Sequence, residues 1–240
     1  MSNGWERSAQ AWIASMGEQG DWAREHVLDP VMLGRVARDP YRSALDVGCG
    51  EGRFCRMLQA SGIGTIGIDP THSLVEQAKR RDPAGDYRLG SAEALPFEAA
   101  SFDLVVSYLT LVDIADFRAA IREMYRVLRP AGSLLIANLT GFTSACAAQG
   151  WVRDEEGQRL HFPVDRYLDE FSFELEWRGI HIRNWHRPLA AYMSVFLEVG
   201  LQLSYFAEPE AASGDSAQGE VHRRVPWFVV MEWRKPAISV

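Results

Sequence analysis

A glycine-rich turn lies between a short apolar run and a helix-forming segment, and this arrangement restricts the possible folds more than any other feature. The apolar run covers residues 44–47, the turn covers residues 48–52 with the sequence GCGEG, and a predicted helix follows at 53–61. A strand, a glycine turn and a helix in this order begin a βαβ unit. Because glycines let the backbone bend tightly and approach a ligand closely, the turn is also a candidate binding element. The alternative is a tight turn without a ligand.

Further strands and helices alternate along the middle of the chain. Strands are predicted at residues 65–68, 86–89, 102–107 and 133–138, and helices at 71–81 and 116–128. This alternation predicts a parallel sheet with helices on both faces. Two more strands, at about 201–206 and 226–233, are predicted to close the sheet as a hairpin. The expected fold class is therefore α/β, with a seven-stranded mixed sheet.

The remaining segments flank this core. With 240 residues, the chain has the length of one α/β domain with additions rather than of two domains. It is predicted to consist of an N-terminal helical segment, a core, an aromatic-rich insertion and a closing helix with the strand hairpin, at residues 1–40, 41–140, 141–187 and 188–240. The insertion is expected to fold over the carboxyl edge of the sheet. Pro188 is expected at the first position of the closing helix, and residues 208–220 are expected to form a mobile loop.

Charge and cysteine content argue against several classes of protein. The formal net charge of −7 argues against a nucleic-acid partner, because binding through phosphate contacts requires a large basic face. The three cysteines, Cys49, Cys55 and Cys146, have no CxxC spacing, so neither a disulfide framework nor a metal site is predicted. The sequence shows no secretory signal and no apolar run near the length of about 20 residues that crosses a bilayer. It therefore predicts a soluble cytoplasmic protein without a membrane partner.

The residues around the turn distinguish between two kinds of nucleotide-like ligand. A nicotinamide or flavin site would use the pattern G-x-G-x-x-G, which from Gly48 requires glycine at position 53, where this chain has Arg53. The anionic side chain of Asp46 suits a ligand that carries an ammonium and a sulfonium better than one that carries a pyrophosphate. Asp69 ends the second strand, where a carboxylate can accept hydrogen bonds from both ribose hydroxyls, but both kinds of ligand use such an acid.

Five blocks between about residues 40 and 140 resemble, in order and in spacing, the motifs of class I S-adenosylmethionine (SAM)-dependent methyltransferases. These blocks cover residues 45–52, 68–69, 90–97, 101–105 and 125–132. The chain is most similar to the small-molecule subgroup with a type 11 domain, which includes quinone-biosynthesis C-methyltransferases. The resemblance implies a Rossmann-like doubly wound fold, SAM as the cofactor and S-adenosylhomocysteine as its product.

The resemblance also implies which residues surround the cofactor. It assigns to the cofactor Trp12, Asp46, Gly48, Cys49, Gly50, Asp69, Pro70, Ser91, Ala92, Glu93 and Ser107. Gly48 and Gly50 are expected beside the methionine part, Asp69 at the ribose and Ala92 at the adenine. Ser91 stands where the family commonly has aspartate, and a neutral hydroxyl accepts a weaker hydrogen bond than a carboxylate does. Residues 1–40 are expected to form a flap over the cofactor, although their tryptophans would equally suit packing onto the core.

His186 is the candidate general base for methyl transfer. It shares its parity in a strand-like run with Ile180, Ile182 and Asn184, so it points inward if the isoleucines do. Similar family members often carry a His-Arg pair at this place, and the alternative is a structural histidine that braces the insertion. The candidate substrate-binding residues are Tyr108, His161, Tyr167, Trp185 and Tyr192.

Charged side chains near these candidates are interpreted as structural. Asp113 follows the fourth strand, close to the expected position of methyl transfer, and is interpreted as a residue that starts a helix. Arg178, Arg183 and Arg187 would suit an acidic substrate, but a solvated strand face is the favoured interpretation.

The predicted function is transfer of a methyl group from SAM to an oxygen, nitrogen or carbon atom of a small-molecule metabolite. Two alternatives stay open. One is methylation of RNA or protein, and the other is a SAM-binding protein without transferase activity that serves as a partner subunit. The sequence indicates neither the methyl acceptor nor the oligomeric state.

Overall fold

A mixed β-sheet forms the centre of the protein. The computed structural model describes residues 3–146, 150–212 and 217–237. The strands within these residues are, in chain order, β1 (Ser43–Val47), β2 (Gly64–Asp69), β3 (Asp86–Leu89), β4 (Phe102–Tyr108), β5 (Leu128–Leu139), β6 (Val152–Arg153), β7 (Arg159–His161), β8 (Phe171–Trp177), β9 (Ile180–His186), β10 (Gln202–Ala207) and β11 (Phe228–Arg234). Seven strands of this described part form the sheet in the order β10-β11-β5-β4-β1-β2-β3, while β6 pairs with β7 and β8 pairs with β9.

The directions of the strands confirm the predicted mixed sheet. Strands β1 to β5 are parallel to their neighbours among themselves, whereas β11 is antiparallel to both β5 and β10. The chain runs outward from β1 to β3 on one side and then resumes at β4 on the other side of β1. The carboxyl ends of β1 and β4 therefore meet where the strand order reverses, which is the place where open parallel sheets bind ligands.

Helices cover both faces of the sheet, as predicted. The helices of the described residues are α1 (Trp5–Met16), α2 (Asp29–Val36), α3 (Arg53–Ala60), α4 (His72–Arg81), α5 (Phe117–Val127), α6 (Gly141–Cys146), α7 (Leu189–Glu198) and α8 (Ala217–Arg224), with a π-helical turn at Arg24–Leu28. One core contains side chains of α5 and α7, and the other contains side chains of α2 and α3. Successive residues of β4 point to opposite cores, since Val105 lies in the first and Val106 in the second. None of these helices combines the length and apolarity that a membrane span requires, within the described ranges.

The structure differs from the sequence-based predictions at three boundaries. Pro188 is the N-cap of α7 rather than its first residue, because its ψ of 151° is extended and not helical. Strand β5 begins at Leu128, well before the predicted start at Ser133. Residues 217–220, predicted as mobile loop, belong to α8, where His222 stacks on Phe228 of the sheet. Residues 213–216 of that predicted loop lie outside the described residues.

The insertion after β5 forms α6, the β6–β7 pair and the β8–β9 hairpin. Strand β9 touches two distant parts of the chain. The backbone N–H of Arg183 donates to the carbonyl of Asn3, just before α1, at 2.9 Å. The backbone N–H of Trp185 donates to the carbonyl of Val112, in the segment that follows β4, at 2.8 Å. The hairpin therefore joins the N-terminal helix to the segment at the carboxyl end of β4.

Candidate active site

A cavity of about 440 Å³ lies at the carboxyl ends of β1, β2 and β4. Its wall contains ten of the eleven residues predicted at the cofactor, which are Trp12, Asp46, Gly48, Cys49, Gly50, Asp69, Pro70, Ser91, Ala92 and Glu93. Ser107, the eleventh, is buried in β4 outside the wall, and the next residue, Tyr108, lines the cavity instead. Tyr108 lines the wall and Ser107 does not because successive side chains of a strand point in opposite directions. The cofactor motifs thus converge on one cavity.

Left-handed backbone conformations shape the glycine turn. Gly48, Gly50 and Gly52 have φ angles of +76°, +55° and +79°, a region that residues with side chains rarely adopt. The N–H of Gly48 donates to the carbonyl of Ile68 at 2.7 Å, which ties the turn to the end of β2. A Cβ atom on Gly48 would overlap the side chain of Thr110, whereas one on Gly50 would have open space around it. Gly48 is therefore packed under the segment that follows β4.

Alanine substitutions in the turn are expected to separate packing from backbone strain. Gly50→Ala only places a methyl group on a residue with a left-handed backbone, and it should lower the free energy of unfolding by about 1 kcal/mol. Gly48→Ala adds the overlap with Thr110 and should lower it by about 3 kcal/mol. Urea unfolding followed by circular dichroism measures both values. Equal losses in the two variants would contradict the packing of Gly48 against Thr110.

Two buried carboxyl groups border the turn. Asp69, at the end of β2, accepts hydrogen bonds from the N–H groups of Gly50 at 2.9 Å and Thr71 at 2.8 Å. Asp46, in β1, accepts one from the thiol of Cys55 at 3.3 Å, and its Oδ1 has no hydrogen-bond partner among the described residues. Burial raises the pKa of both carboxyl groups, that of Asp46 to about 7. Because an unpartnered buried oxygen is costly, its place in the cavity wall favours a cationic ligand group there.

A third carboxyl group, that of Asp113, belongs to the segment that follows β4. It lines the cavity and accepts hydrogen bonds from the side-chain amide of Asn184 and from the indole of Trp5. Burial raises the pKa of Asp113 to about 8. The N-cap of α5 is Asp116, whose carboxylate accepts the N–H of Ala119 at 2.9 Å. The interpretation of Asp113 as the start of a helix is therefore wrong.

Arg187, which directly follows β9, holds the same segment between β4 and α5. Its side chain is buried, and the guanidinium donates to the carbonyls of Leu111 at 3.0 Å, Ile114 at 2.6 Å and Ala115 at 2.9 Å. The ring of Phe117 lies 4.3 Å from the guanidinium carbon. The prediction of a solvated strand face is wrong for Arg187, because the side chain points into the protein and satisfies three carbonyl groups there.

The candidate base His186 lies outside the cavity wall. Its ring is buried, with Nδ1 2.8 Å from the hydroxyl of Ser144 and Nε2 2.9 Å from the carbonyl of Tyr167. The residues that share its parity in β9 are buried as well, which confirms the predicted inward direction. Both ring nitrogens have partners within the insertion, and burial lowers the pKa of the imidazole. This geometry matches the alternative of a structural histidine that braces the insertion.

The five candidate substrate-binding residues lie in different places. Tyr108 lines the main cavity. Tyr167 and Tyr192 border a separate cavity of about 20 Å³ beside α7, and neither Trp185 nor the exposed His161 lines either cavity. The insertion uses several of its aromatic rings in its own packing, as in the contact of Tyr167 with His186 at 5.8 Å between ring centres. Of the five residues, the structure therefore places Tyr108 in the wall of the main cavity and the other four outside it.

Known proteins share sequence with this chain. A family model described as a methyltransferase domain matches residues 45–136. The malonyl-[acyl-carrier protein] O-methyltransferase of Salmonella typhimurium is 35% identical over 166 residues, which are 69% of this chain and 64% of that protein. The demethylmenaquinone methyltransferase of Renibacterium salmoninarum is 30% identical over 53% of this chain and 52% of that protein. The chain thus spans less than two thirds of the length of these curated relatives.

A solved structure shares the fold as well. The S-adenosylmethionine dependent methyltransferase from Mesorhizobium loti matches with a TM-score of 0.72 and 25% identity, over 88% of this chain and 97% of that one. The chain belongs to the class I SAM-dependent methyltransferases. It carries the type 11 methyltransferase domain, and its seven-stranded sheet with helices on both faces is the Rossmann-like fold of this family.

The cavity fits SAM, the cofactor of this family. The oxygen of Asp46 that has no partner among the described residues suits a hydrogen bond from the ammonium group of SAM. Each carboxylate oxygen of Asp69 accepts one backbone N–H and has capacity for a second donor, such as a ribose hydroxyl. The hydroxyl of Ser91 donates to the carboxylate of Glu93, so a carboxylate stands beside the position where the family commonly has aspartate. These carboxylate acceptors therefore suit a cationic nucleoside.

Proposed function

We propose that this protein transfers a methyl group from SAM to an oxygen, nitrogen or carbon atom of a small-molecule metabolite. One observation carries the proposal: the cavity of about 440 Å³ that contains the cofactor motifs is also lined by Trp5, Tyr108 and Asp113. Its volume lies within the range of about 300–1,000 Å³ that is usual for small-molecule sites. An acceptor beside these side chains would share one enclosure with the cofactor, as direct transfer requires.

Each part of the site has a proposed role in binding and orientation. Asp69 accepts hydrogen bonds from the ribose hydroxyls of SAM, and Asp46 accepts one from its ammonium group. The backbone of the glycine turn lies beside the methionine part of SAM. Trp12 of α1 covers the cavity and helps to exclude water. When bound, SAM supplies a methyl group that is activated by its sulfonium. The remaining task of the protein is to hold the acceptor in line with that group.

Charge and cysteine chemistry support a small-molecule acceptor and a cytoplasmic location. The net charge of −7 opposes binding of RNA through its phosphates. The three cysteines are free and buried, as is usual in a reducing compartment. The relatives named above act, by their names, on malonyl-[acyl-carrier protein] and on demethylmenaquinone. The class of small molecules, rather than either of these compounds, is what we propose for this chain.

Transfer from SAM labelled in its methyl group tests this function. The protein is incubated with labelled SAM and, separately, with the small-molecule, RNA and protein fractions of a cell extract. Label is expected in the small-molecule fraction with the wild-type protein and not with Asp69→Ala. Label in RNA or protein would establish the macromolecular alternative. Binding of S-adenosylhomocysteine without labelled product in any fraction would favour the SAM-binding protein without transferase activity.

The affinity for S-adenosylhomocysteine is expected to rise with pH through about 7. The ammonium of the ligand favours the ionised form of Asp46, and burial raises the pKa of this carboxyl group to about 7. Below that pH the carboxyl group is protonated and the attraction is lost, so the affinity should fall about tenfold between about pH 8 and about pH 6. Isothermal titration at several pH values measures this change. An equally steep change in Asp46→Asn would contradict the assignment.

A further inference from the structure

Two carboxyl groups of the cavity wall, those of Glu6 and Asp113, lie outside the cofactor motifs, and of these Glu6 is exposed whereas Asp113 is partly buried. Asp113 is in the segment between β4 and α5, and it is held by Asn184 of β9 and by Trp5 of α1. Three separate parts of the chain thus converge on this side chain, which is partly open to the cavity. Because burying a carboxylate costs free energy, a carboxyl group in this surrounding is a candidate for a functional role.

The other acids of the wall already have partners or proposed roles. Asp46 and Asp69 belong to the proposed cofactor site. The remaining acids are Glu6, Glu51 and Glu93, which are held by the hydroxyl of Ser73, by the guanidinium groups of Arg56 and Arg81, and by the hydroxyl of Ser91. Glu6 is exposed, and Glu51 and Glu93 lie within the cofactor motifs. Among the described residues of the wall, Asp113 is therefore the partly buried carboxyl group outside those motifs, which makes it the candidate to meet the methyl acceptor.

The backbone around Asp113 is held in place by hydrogen bonds from other parts of the protein. Arg187 donates to the carbonyls of three residues of the same segment, and the N–H of Trp185 donates to the carbonyl of Val112 at 2.8 Å. A group that takes part in a reaction must be positioned closely, and such supporting hydrogen bonds provide that positioning. The segment is therefore built to present one acid to the cavity.

We propose that Asp113 accepts the proton that the methyl acceptor loses, so that the site takes acceptors with a hydroxyl or an amino group. This inference rests on the proposed function and adds the residue that acts on the acceptor. The acceptor oxygen or nitrogen forms a bond to the methyl carbon, while the bond between that carbon and sulfur breaks and leaves its electron pair on sulfur. The proton released from the acceptor passes to the Asp113 carboxylate and leaves to water after the reaction.

The groups around Asp113 support this role near neutral pH. Burial raises the pKa of Asp113 to about 8, with a further increase from the charge of Asp69. The hydrogen bonds from Trp5 and Asn184 and the charge of Arg24 lower the pKa, but burial outweighs them. The transfer rate should therefore rise with pH until Asp113 is ionised. An ionised carboxylate acceptor has no proton to lose and would meet the negative charges of the wall, so the site disfavours it.

Titration of Asp113 in the protein itself is the first test. Protein labelled with ¹³C in its aspartate carboxyl groups, with S-adenosylhomocysteine bound, is followed by NMR from acid to alkaline pH. The signal of Asp113 is identified by its absence in Asp113→Asn. A midpoint of about 8 is expected, and Trp5→Phe should raise it, because the indole hydrogen bond lowers it. A midpoint near the ordinary aspartate value of about 4 would overturn the proposal, whether or not an acceptor is known.

Matched variants give the second test, with the acceptor that wild-type protein labels. Asp113→Asn should slow transfer about 100-fold and remove the rise in rate with pH, while its affinity for S-adenosylhomocysteine stays unchanged. Asp116→Asn makes the same substitution in the same segment, at an N-cap where asparagine serves as well as aspartate, and should keep the wild-type rate. Equal rates and pH profiles in the two variants would overturn the proposal.

Different experimental results would overturn this inference and the proposed function. If wild-type protein labels no acceptor, the proposed function fails, and the NMR titration alone decides whether Asp113 is a proton acceptor near neutral pH. If wild-type protein transfers the label and Asp113→Asn loses its affinity for S-adenosylhomocysteine, Asp113 belongs to the cofactor site and the inference falls.

Discussion

Asp69→Ala is expected to weaken the binding of S-adenosylhomocysteine by about 1000-fold. A hydrogen bond to a charged acceptor contributes about 1.5–3 kcal/mol, so the loss of two ribose hydrogen bonds amounts to about 4 kcal/mol. The substitution also removes the acceptor of the Gly50 N–H, 2.9 Å away, which frees the turn that lies under the ligand. Isothermal titration with wild-type and variant protein measures the change.

Two controls separate this effect from a loss of folding. Asp86→Ala removes a carboxylate from β3 that pairs with Arg88 at the surface at 2.7 Å, and it should leave the affinity unchanged. The free energy of unfolding of Asp69→Ala, measured in urea, should stay within about 1 kcal/mol of the wild-type value. The variant loses two backbone hydrogen bonds, but it also loses a buried carboxyl group, and burial disfavours the charge of that group and raises its pKa. Wild-type affinity in folded Asp69→Ala protein would remove Asp69 from the cofactor site.

The cofactor end of the cavity could be predicted from the sequence because its parts are short and local. The glycine turn follows β1 directly, and Asp69 ends the next strand. In a parallel sheet the carboxyl ends of neighbouring strands meet at one edge, so these two elements come together whatever the rest of the chain does. The pairing of Val47 with Ile68 places them side by side. Local pattern and sheet geometry were therefore sufficient.

The acceptor end could not be predicted in this way, because it depends on how the insertion docks. Asp113 gains its environment from Trp5 of α1 and Asn184 of β9, which are 179 residues apart in the sequence. The alternation in β9 correctly predicted that Asn184 and His186 point inward. It could not show that Asn184 meets the cavity acid whereas His186 meets Ser144 within the insertion. Periodicity gives the direction of a side chain, and only the tertiary structure gives its partner.

Arg187→Met is expected to lower the free energy of unfolding by about 4 kcal/mol. Methionine retains much of the apolar stem and volume of arginine, but it cannot donate to the carbonyls of Leu111, Ile114 and Ala115. These carbonyls would lose their donor, and a buried group left without a partner costs about 1–3 kcal/mol. Urea unfolding followed by circular dichroism measures the loss.

Arg183→Met is the matched control, because Arg183 lies in the same hairpin and pairs with Glu174 at 2.7 Å on an open surface. Such pairs contribute about 0–1 kcal/mol, so a loss of that size in both variants would mean that the carbonyl contacts of Arg187 do not stabilise the segment. If Arg187→Met loses far more, the same contacts also hold Asp113. Loosening the segment should then admit water and lower the pKa of Asp113 from its raised value, since burial is what raises it. A single buried arginine would thus couple the stability of the fold to the acid at the acceptor end.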